Sequence, residues 1–182
     1  MAVDRSVCEG MKRKTTNMES PDELIAEIEW CLARWLKGDS GGSRVDVYMV
    51  GIGMTQLRSE TLVVDGADVP ASIPYEVAAV PMNHLRAAQA IPGRGAWTWC
   101  HLWMDVSDGV LHQECDWMRE PDFGPGAVGA GEYAIELDIY PRDPEFVPDW
   151  LAERAAAYEK RKERNARRRE VRRRKRERER GD

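Results

Sequence analysis

An α+β fold is what this sequence predicts: a helix packed on an antiparallel sheet that contains a Trp-rich hairpin, then a closing helix with a basic extension. Three observations carry that prediction. Apolar residues recur at helical spacing after a capping sequence at Ser20, alternate at strand spacing in segments between residues 44 and 118, and return to helical spacing after Val147.

The first helix begins with a mechanism. In Ser20-Pro21-Asp22-Glu23 the serine caps, the proline tolerates the loss of an N–H at the first helical position, and Glu23 can bond back to the cap. The helix is expected to run to Lys37, with Gly38 as its stop. Leu24, Ile25, Ile28, Cys31, Leu32, Trp35 and Leu36 share one stripe, which predicts packing against a sheet. Trp30 points away from it, as a lid contact or an exposed anchor.

Arg44 to Gly53 and Gln56 to Asp65 read as two strands joined by a Gly-rich, uneven connection. Gly66 to Pro74 reads as loop. Tyr75 to Ala90 reads as helical in its second half, with Pro81 as an interruption.

The most informative stretch is Gly93 to Leu151. Asp108-Gly109, between two alternating runs, signals a two-residue turn of the primed type, in which both central residues take positive φ. With Ser107 opposite Val110, the facing pairs become Val106 with Leu111, Met104 with Gln113, Leu102 with Cys115, and Cys100 with Trp117, on a mostly apolar core face. The other face then carries Trp97, Trp99, His101, Trp103 and Asp105 on one strand and His112, Glu114, Asp116 and Met118 on the next. A one-residue slip would bury Glu114 and Asp116, so the pattern itself fixes which face is which. Large apolar patches are uncommon on monomers, so one or two of the tryptophans are expected to be covered.

An acidic turn, Glu120-Pro121-Asp122-Phe123, follows. Arg142 is expected to hold the closing loop to a carboxylate. The last helix starts after Val147, with Pro148 and Asp149 in its first turn, and anchors through Trp150, Leu151, Ala155 and Tyr158. Beyond Tyr158 only Ala166 and Val171 are apolar, so the remainder cannot pack a core. The expected organisation is a flexible N-terminus over 1–19, one α+β domain over 20–158, and an Arg-rich tail over 159–182, helical or disordered.

The formal charge of -5 hides an asymmetry. Residues 1–152 hold 12 Lys/Arg against 25 Asp/Glu, a charge of -13, while residues 153–182 hold 15 against 7, a charge of +8. An acidic body favours cationic partners, because opposite potential speeds encounter, and it argues against a grip on a nucleic-acid backbone. For the tail, a solvated helix with Glu–Arg neighbours is the plain reading. The functional reading is a sequence-independent contact with nucleic-acid phosphates through Arg167, Arg168, Arg169, Arg172, Arg173, Arg174, Lys175 and Arg176.

Nothing in the chain reads as catalytic or as a cofactor site. Gly51-Ile52-Gly53 and Gly93-Arg94-Gly95 lack the glycine spacing and following helix of a phosphate loop. His112 is expected to face Asp105, and His101 to face Asp116. A metal-dependent enzyme using His101, His112 and Glu114 is the weakest reading, since cross-strand pairing alone accounts for those residues. No serine sits on a nucleophile turn, and Cys100 and Cys115 lie on the face away from both hairpin histidines. Cys8, Cys31, Cys100 and Cys115 show no CxxC spacing, and no secretory signal or membrane-length apolar run is visible. The expected setting is therefore cytoplasmic, with reduced thiols and no membrane partner. The expected register excludes a Cys100–Cys115 disulfide.

Gly95-Ala96-Trp97, Asp108-Gly109, the Asp/Glu-rich strand after it, Glu120-Pro121-Asp122-Phe123, Tyr133, Tyr140-Pro141-Arg142 and Pro148-Asp149-Trp150-Leu151 occur in that order. In this respect residues 95–151 resemble the C-terminal half of YezG-like immunity proteins, cytoplasmic antitoxins of bacterial polymorphic toxin systems. The resemblance implies an α+β domain with a leading helix, an antiparallel sheet and closing helices. It also implies tight, non-catalytic binding to a cognate protein toxin, often a nuclease. The Arg-rich tail and the irregular 66–92 segment depart from it. A nuclease must be basic to hold nucleic acid, so an acidic surface with aromatic anchors is suited to cover one. The expected contact set is Trp99, Trp103, Asp105, Glu114, Asp116, Glu120 and Asp122. The alternative is a nucleic-acid-associated accessory protein that works through its tail.

Overall fold

Ser20 Oγ accepts the Glu23 amide at 3.2 Å, and Glu23 Oε2 accepts the Ser20 amide at 2.8 Å, so the reciprocal cap forms as its residue types dictate. Helix α1 then spans Pro21–Gly38 and buries Leu24, Ile28, Leu32 and Leu36. Trp30 is exposed, with the Arg34 guanidinium 5.6 Å from its ring centroid. The computed structural model describes residues 20–38, 40–125 and 128–181; the segment 1–19, expected to be flexible, lies outside them.

The sheet is five-stranded and antiparallel throughout, in the order β3-β2-β1-β4-β5. Its strands are β1 (Arg44–Ile52), β2 (Thr55–Val64), β3 (Ala67–Ala71), β4 (Trp99–Asp105) and β5 (Leu111–Asp116). The fold is α+β.

Strand β3 replaces the expected loop. Pro70 lies in it opposite Thr61, and the strand is an outer one, where a missing N–H on the solvent side costs no ladder bond. Asp65 and Gly66 take φ of 52° and 80°, so the two-residue primed turn occurs here, between β2 and β3. At Asp108-Gly109 only Gly109 takes positive φ. The Asp108 carboxylate accepts the Val110 amide at 3.0 Å and the Gly109 amide reaches the Asp105 carbonyl at 2.9 Å, which makes a longer loop over 106–110. The hairpin register accordingly differs by two residues from the expected one. Met104 faces Leu111, Leu102 faces Gln113, and Cys100 faces Cys115. A shift of two leaves the side chains of β4 and β5 on their expected faces.

Just before β4 the alternation breaks. Thr98 donates its amide to the Asp116 carbonyl at 2.9 Å while its own carbonyl accepts the Gly51 amide at 3.1 Å, as in a β-bulge. Ala96, Trp97 and Thr98 are all buried in consequence. Trp97, expected on the outer face, is instead a core residue whose indole N–H donates to Gln89 Oε1 at 2.9 Å.

Between β3 and β4 a π-helical turn, Tyr75–Ala79, leads into α2 (Val80–Ala88). Pro81 falls in the first turn of α2, where no N–H is needed, so it does not interrupt the helix. Helices α1 and α2 cover one face of the sheet. Leu24, Ile28, Leu32, Leu36, Met82 and Leu85 close on Val45, Val47, Met49, Leu62, Leu102 and Met104.

Helices α3 (Glu132–Ile139) and α4 (Asp149–Gly181) build a second apolar cluster from Ile52, Tyr133, Leu151 and Ala155. This cluster is pinned to the β1–β2 turn. Glu136 and Glu132 accept the Gly53 and Met54 amides, each at 2.7 Å. Gly53 has φ +56°, and a Cβ there would lie 2.5 Å from Glu132 Oε2, so the turn admits only glycine. Glu136 also accepts Arg86 at 2.7 Å and Arg142 at 3.4 Å, all three side chains being fully buried. Arg142 donates further to the carbonyls of Ala96 (2.6 Å), Trp117 (2.8 Å) and Phe146 (3.2 Å), and so holds the closing loop as expected.

Candidate functional site

Because Val45, Val47 and Met49 point into the core, their neighbours Arg44, Asp46, Tyr48 and Val50 point to the opposite face of the sheet. In register they meet the outer residues of β4: Arg44 faces Asp105, Asp46 faces Trp103, Tyr48 faces His101, and Val50 faces Trp99. Those in turn meet β5, with Trp103 opposite His112, His101 opposite Glu114, and Trp99 opposite Asp116. The expected pairs of His112 with Asp105 and His101 with Asp116 are replaced, because the register moved by two. None of Tyr48, Trp99, His101 or Trp103 belongs to either apolar cluster.

These rings form a continuous stack. Tyr48 and His101 lie 4.3 Å apart at an interplanar angle of 10°, His101 and Trp103 4.7 Å at 30°, and Trp103 and His112 5.2 Å at 14°. Beneath them Asp46 acts as the fastener. Its Oδ1 lies 2.8 Å from His101 Nε2, and Arg44 donates to both its oxygens at 2.7 Å. Burial alone would raise the Asp46 carboxyl, but its bonds to Arg44 and His101 outweigh that and hold it below the usual carboxylate range. Arg44 itself is pushed above the ordinary arginine value, chiefly by its bond to Asp46.

At the other end of the stack the Arg119 guanidinium sits 4.6 Å over Trp99. A pocket of about 250 Å³ opens there, lined by Tyr48, Leu57, Trp99, Arg119, Glu120 and Asp122 among others. Leu57 is 49% exposed and Tyr48 39%, so the pocket has an apolar wall open to solvent.

The structure brings all seven expected contact residues to this face or its rim. Trp99 and Trp103 are half-buried in the stack. Of the carboxylates, Asp105 is paired with Arg44 at 3.3 Å, Asp116 accepts the amides of Met118 and Arg119 at 2.8 and 3.1 Å, and Glu120 is paired with Arg154. Glu114 and Asp122 are exposed. Sequence reasoning missed Arg44, Asp46, Tyr48, Leu57 and Arg119. The strict alternation of β1 was the signal for the first three. Leu57 follows from its pairing opposite Val50.

His112 lies 3.5 Å from Asp108, and among the described residues no three His, Cys, Asp or Glu side chains are placed to hold a metal ion. What the face offers is π-surfaces, carboxylates and two guanidinium groups. On α4, Arg167, Arg168, Arg169, Arg172, Arg173, Arg174 and Arg176 are exposed, and Lys175 lies in the same helix. At about 1.5 Å per residue the helix continues about 35 Å beyond Tyr158, to Gly181. Among the described residues no helix is long and apolar enough to cross a membrane.

Fold and site together define a two-layer α+β protein with one open, aromatic sheet face and a basic helical extension. No protein-family model and no curated protein matches the chain.

Proposed function

We propose that this protein is a non-catalytic binding protein that docks a cationic protein domain on the outer face of its sheet, in the manner of an immunity protein neutralising a toxin. The observation that carries the reading is the Tyr48–His101–Trp103–His112 stack, extended by Trp99 and rimmed by acidic side chains. Rigid aromatic rings lose little entropy on binding and supply anchors, while a negatively charged body steers a basic partner to them. A partner rich in Lys and Arg gains twice on such a surface, from cation–π contact with the rings and from the exposed Glu114 and Asp122. A toxin that acts on nucleic acid has that chemistry.

The test is capture from a nuclease-treated extract of the source cells, using full-length protein and the Trp99→Ala/Trp103→Ala variant, followed by purification of the captured protein and titration. A single basic domain is expected, bound by the wild type, lost with the variant and retained when residues 159–182 are removed. Co-production of the wild type is expected to relieve any growth arrest that domain causes. Capture of ribosomal or other nucleic-acid-associated proteins alone, indifferent to the variant, would sink the reading. That result would favour the second one, in which the exposed arginines of α4 hold nucleic acid; such binding falls steeply with salt and vanishes with the truncation.

A further inference from the structure

The register expected from Asp108-Gly109 sets Cys100 and Cys115 apart, whereas the observed register places them directly opposite each other on β4 and β5. The kind of pairing follows from the neighbouring ladder. Gly51 donates to the Thr98 carbonyl at 3.1 Å and Val106 to the Ser43 carbonyl at 2.8 Å, each a pair in the β1–β4 register. Even-numbered residues of β4 thus direct their backbone bonds to β1, and odd-numbered ones to β5. Cys100 and Cys115 form a non-hydrogen-bonded pair, whose Cα atoms stand about 4.5 Å apart. That spacing lies inside the roughly 4.4–6.8 Å range that disulfides span. Cys100 is fully buried, Cys115 is partly exposed on the outermost strand, and both are free thiols.

The surroundings are ordered around the sulfurs. Gln113 Nε2 lies 3.4 Å from Cys100 Sγ and donates to it. Gln113 is itself locked by reciprocal amide bonds with Gln89 at 2.8 and 2.9 Å. A hydrogen bond with Cys100, reinforced by burial, holds the Cys115 thiol above its ordinary range.

We propose that Cys100 and Cys115 are a dithiol modification site, at which a low-molecular-weight disulfide closes a cross-strand bond that fastens the outer strand β5 to β4. The thiolate of Cys115, the more exposed of the two residues, attacks the small disulfide, forming a mixed disulfide and expelling one small thiolate. The Cys100 thiolate then attacks Cys115 Sγ and expels the second. The protein loses two electrons and two protons, and the small disulfide becomes two thiols. Because the Cys115 thiol is held high, its thiolate is scarce at neutral pH and the first attack limits the rate.

The experiment treats full-length protein with oxidised glutathione, blocks the remaining thiols with iodoacetamide after unfolding, and digests with trypsin. Cleavage after Arg94 and Arg119 leaves both cysteines in one peptide, residues 95–119. That peptide is expected to be unalkylated and lighter by two hydrogens than the dithiol, and to become doubly alkylated once reduced. Closure is expected to speed up about tenfold per pH unit through neutrality, with the thiolate fraction. It is also expected to raise the melting temperature of the wild type but not of Cys115→Ser. Stable glutathione on Cys115, a crosslink to the peptide bearing Cys8 or Cys31, or two alkylated thiols would each overturn the site. Closure with no rise in melting temperature would overturn the fastening of β5. Should Cys115→Ser fail to fold, the wild-type peptide masses decide alone.

Discussion

Two carboxylates show how single residues hold this molecule together in different ways. Glu136 is fully buried and answers to Arg86, Arg142 and the Gly53 amide at once, so it ties the β1–β2 turn, α2, α3 and the closing loop to one point. Glu136→Gln keeps the shape but leaves two buried guanidinium groups without a counter-charge. A loss of about 3–5 kcal/mol is expected, measured by urea unfolding. Asp46 is the outer-face counterpart. Its folded carboxyl is depressed, so the stability it contributes is fully present above the unfolded value and is lost as pH falls through the folded one. Asp46→Asn is therefore expected to be less stable than wild type at pH 7. The gap between the two unfolding curves should begin to narrow below about pH 4, where aspartate in the unfolded chain becomes protonated, and close as pH falls through the lower folded value. A gap that persists undiminished at pH 2 would show that packing, rather than the carboxylate's charge, is what Asp46 supplies.

At the scale of elements, what was legible in the sequence is what local chemistry decides. The cap at Ser20, the stripe of α1, both long strands and the facing of the hairpin follow from side-chain type and period alone. Strand β3 was not legible, because Pro70 and Pro74 read as loop until the sheet order shows that the strand is an outer one. The hairpin register was misjudged because Asp-Gly serves two geometries. At Asp65-Gly66 both residues adopt positive φ, while at Asp108-Gly109 the aspartate instead caps the Val110 amide. The candidate face was half legible: β4 and β5 gave the tryptophans and acids, and the alternation of β1 marks its outward residues, but their place beside β4 depends on a pairing that no local pattern specifies. Helix α4 lies at the other extreme. Beyond Tyr158 it is held by pairs such as Arg173 and Arg174 with Glu170, at 2.9 and 2.8 Å, each contributing about 0.2–0.5 kcal/mol. Removing residues 159–182 is expected to change unfolding free energy by less than about 0.5 kcal/mol, with a loss of helical signal in far-ultraviolet circular dichroism. A larger loss of stability would mean that the basic helix folds back on the acidic body.

Over the whole molecule, charge and aromatic rings contribute to docking in different ways, and this division of labour is open to kinetic test. The acidic body acts at range, within a Debye length of about 8 Å at physiological salt, whereas the Trp99 and Trp103 rings act only in contact. If the outer sheet face is the docking surface, the two contributions separate in a stopped-flow or surface-binding measurement with the captured partner. Glu114→Gln/Asp122→Asn removes exposed charge and leaves the stack intact, so the association rate should fall and its salt dependence flatten, with dissociation little changed. Trp99→Ala/Trp103→Ala should do the converse. With about 2 kcal/mol for each of the two aromatic anchors, dissociation speeds up on the order of a thousand-fold, while the salt dependence of association is preserved. The exposed arginines of α4 enter neither rate under this reading, since they carry the wrong sign for a cationic partner. If truncation at residue 158 instead abolished binding while both face variants bound normally, the working part of the molecule would be its basic helix, and the folded domain would be its carrier.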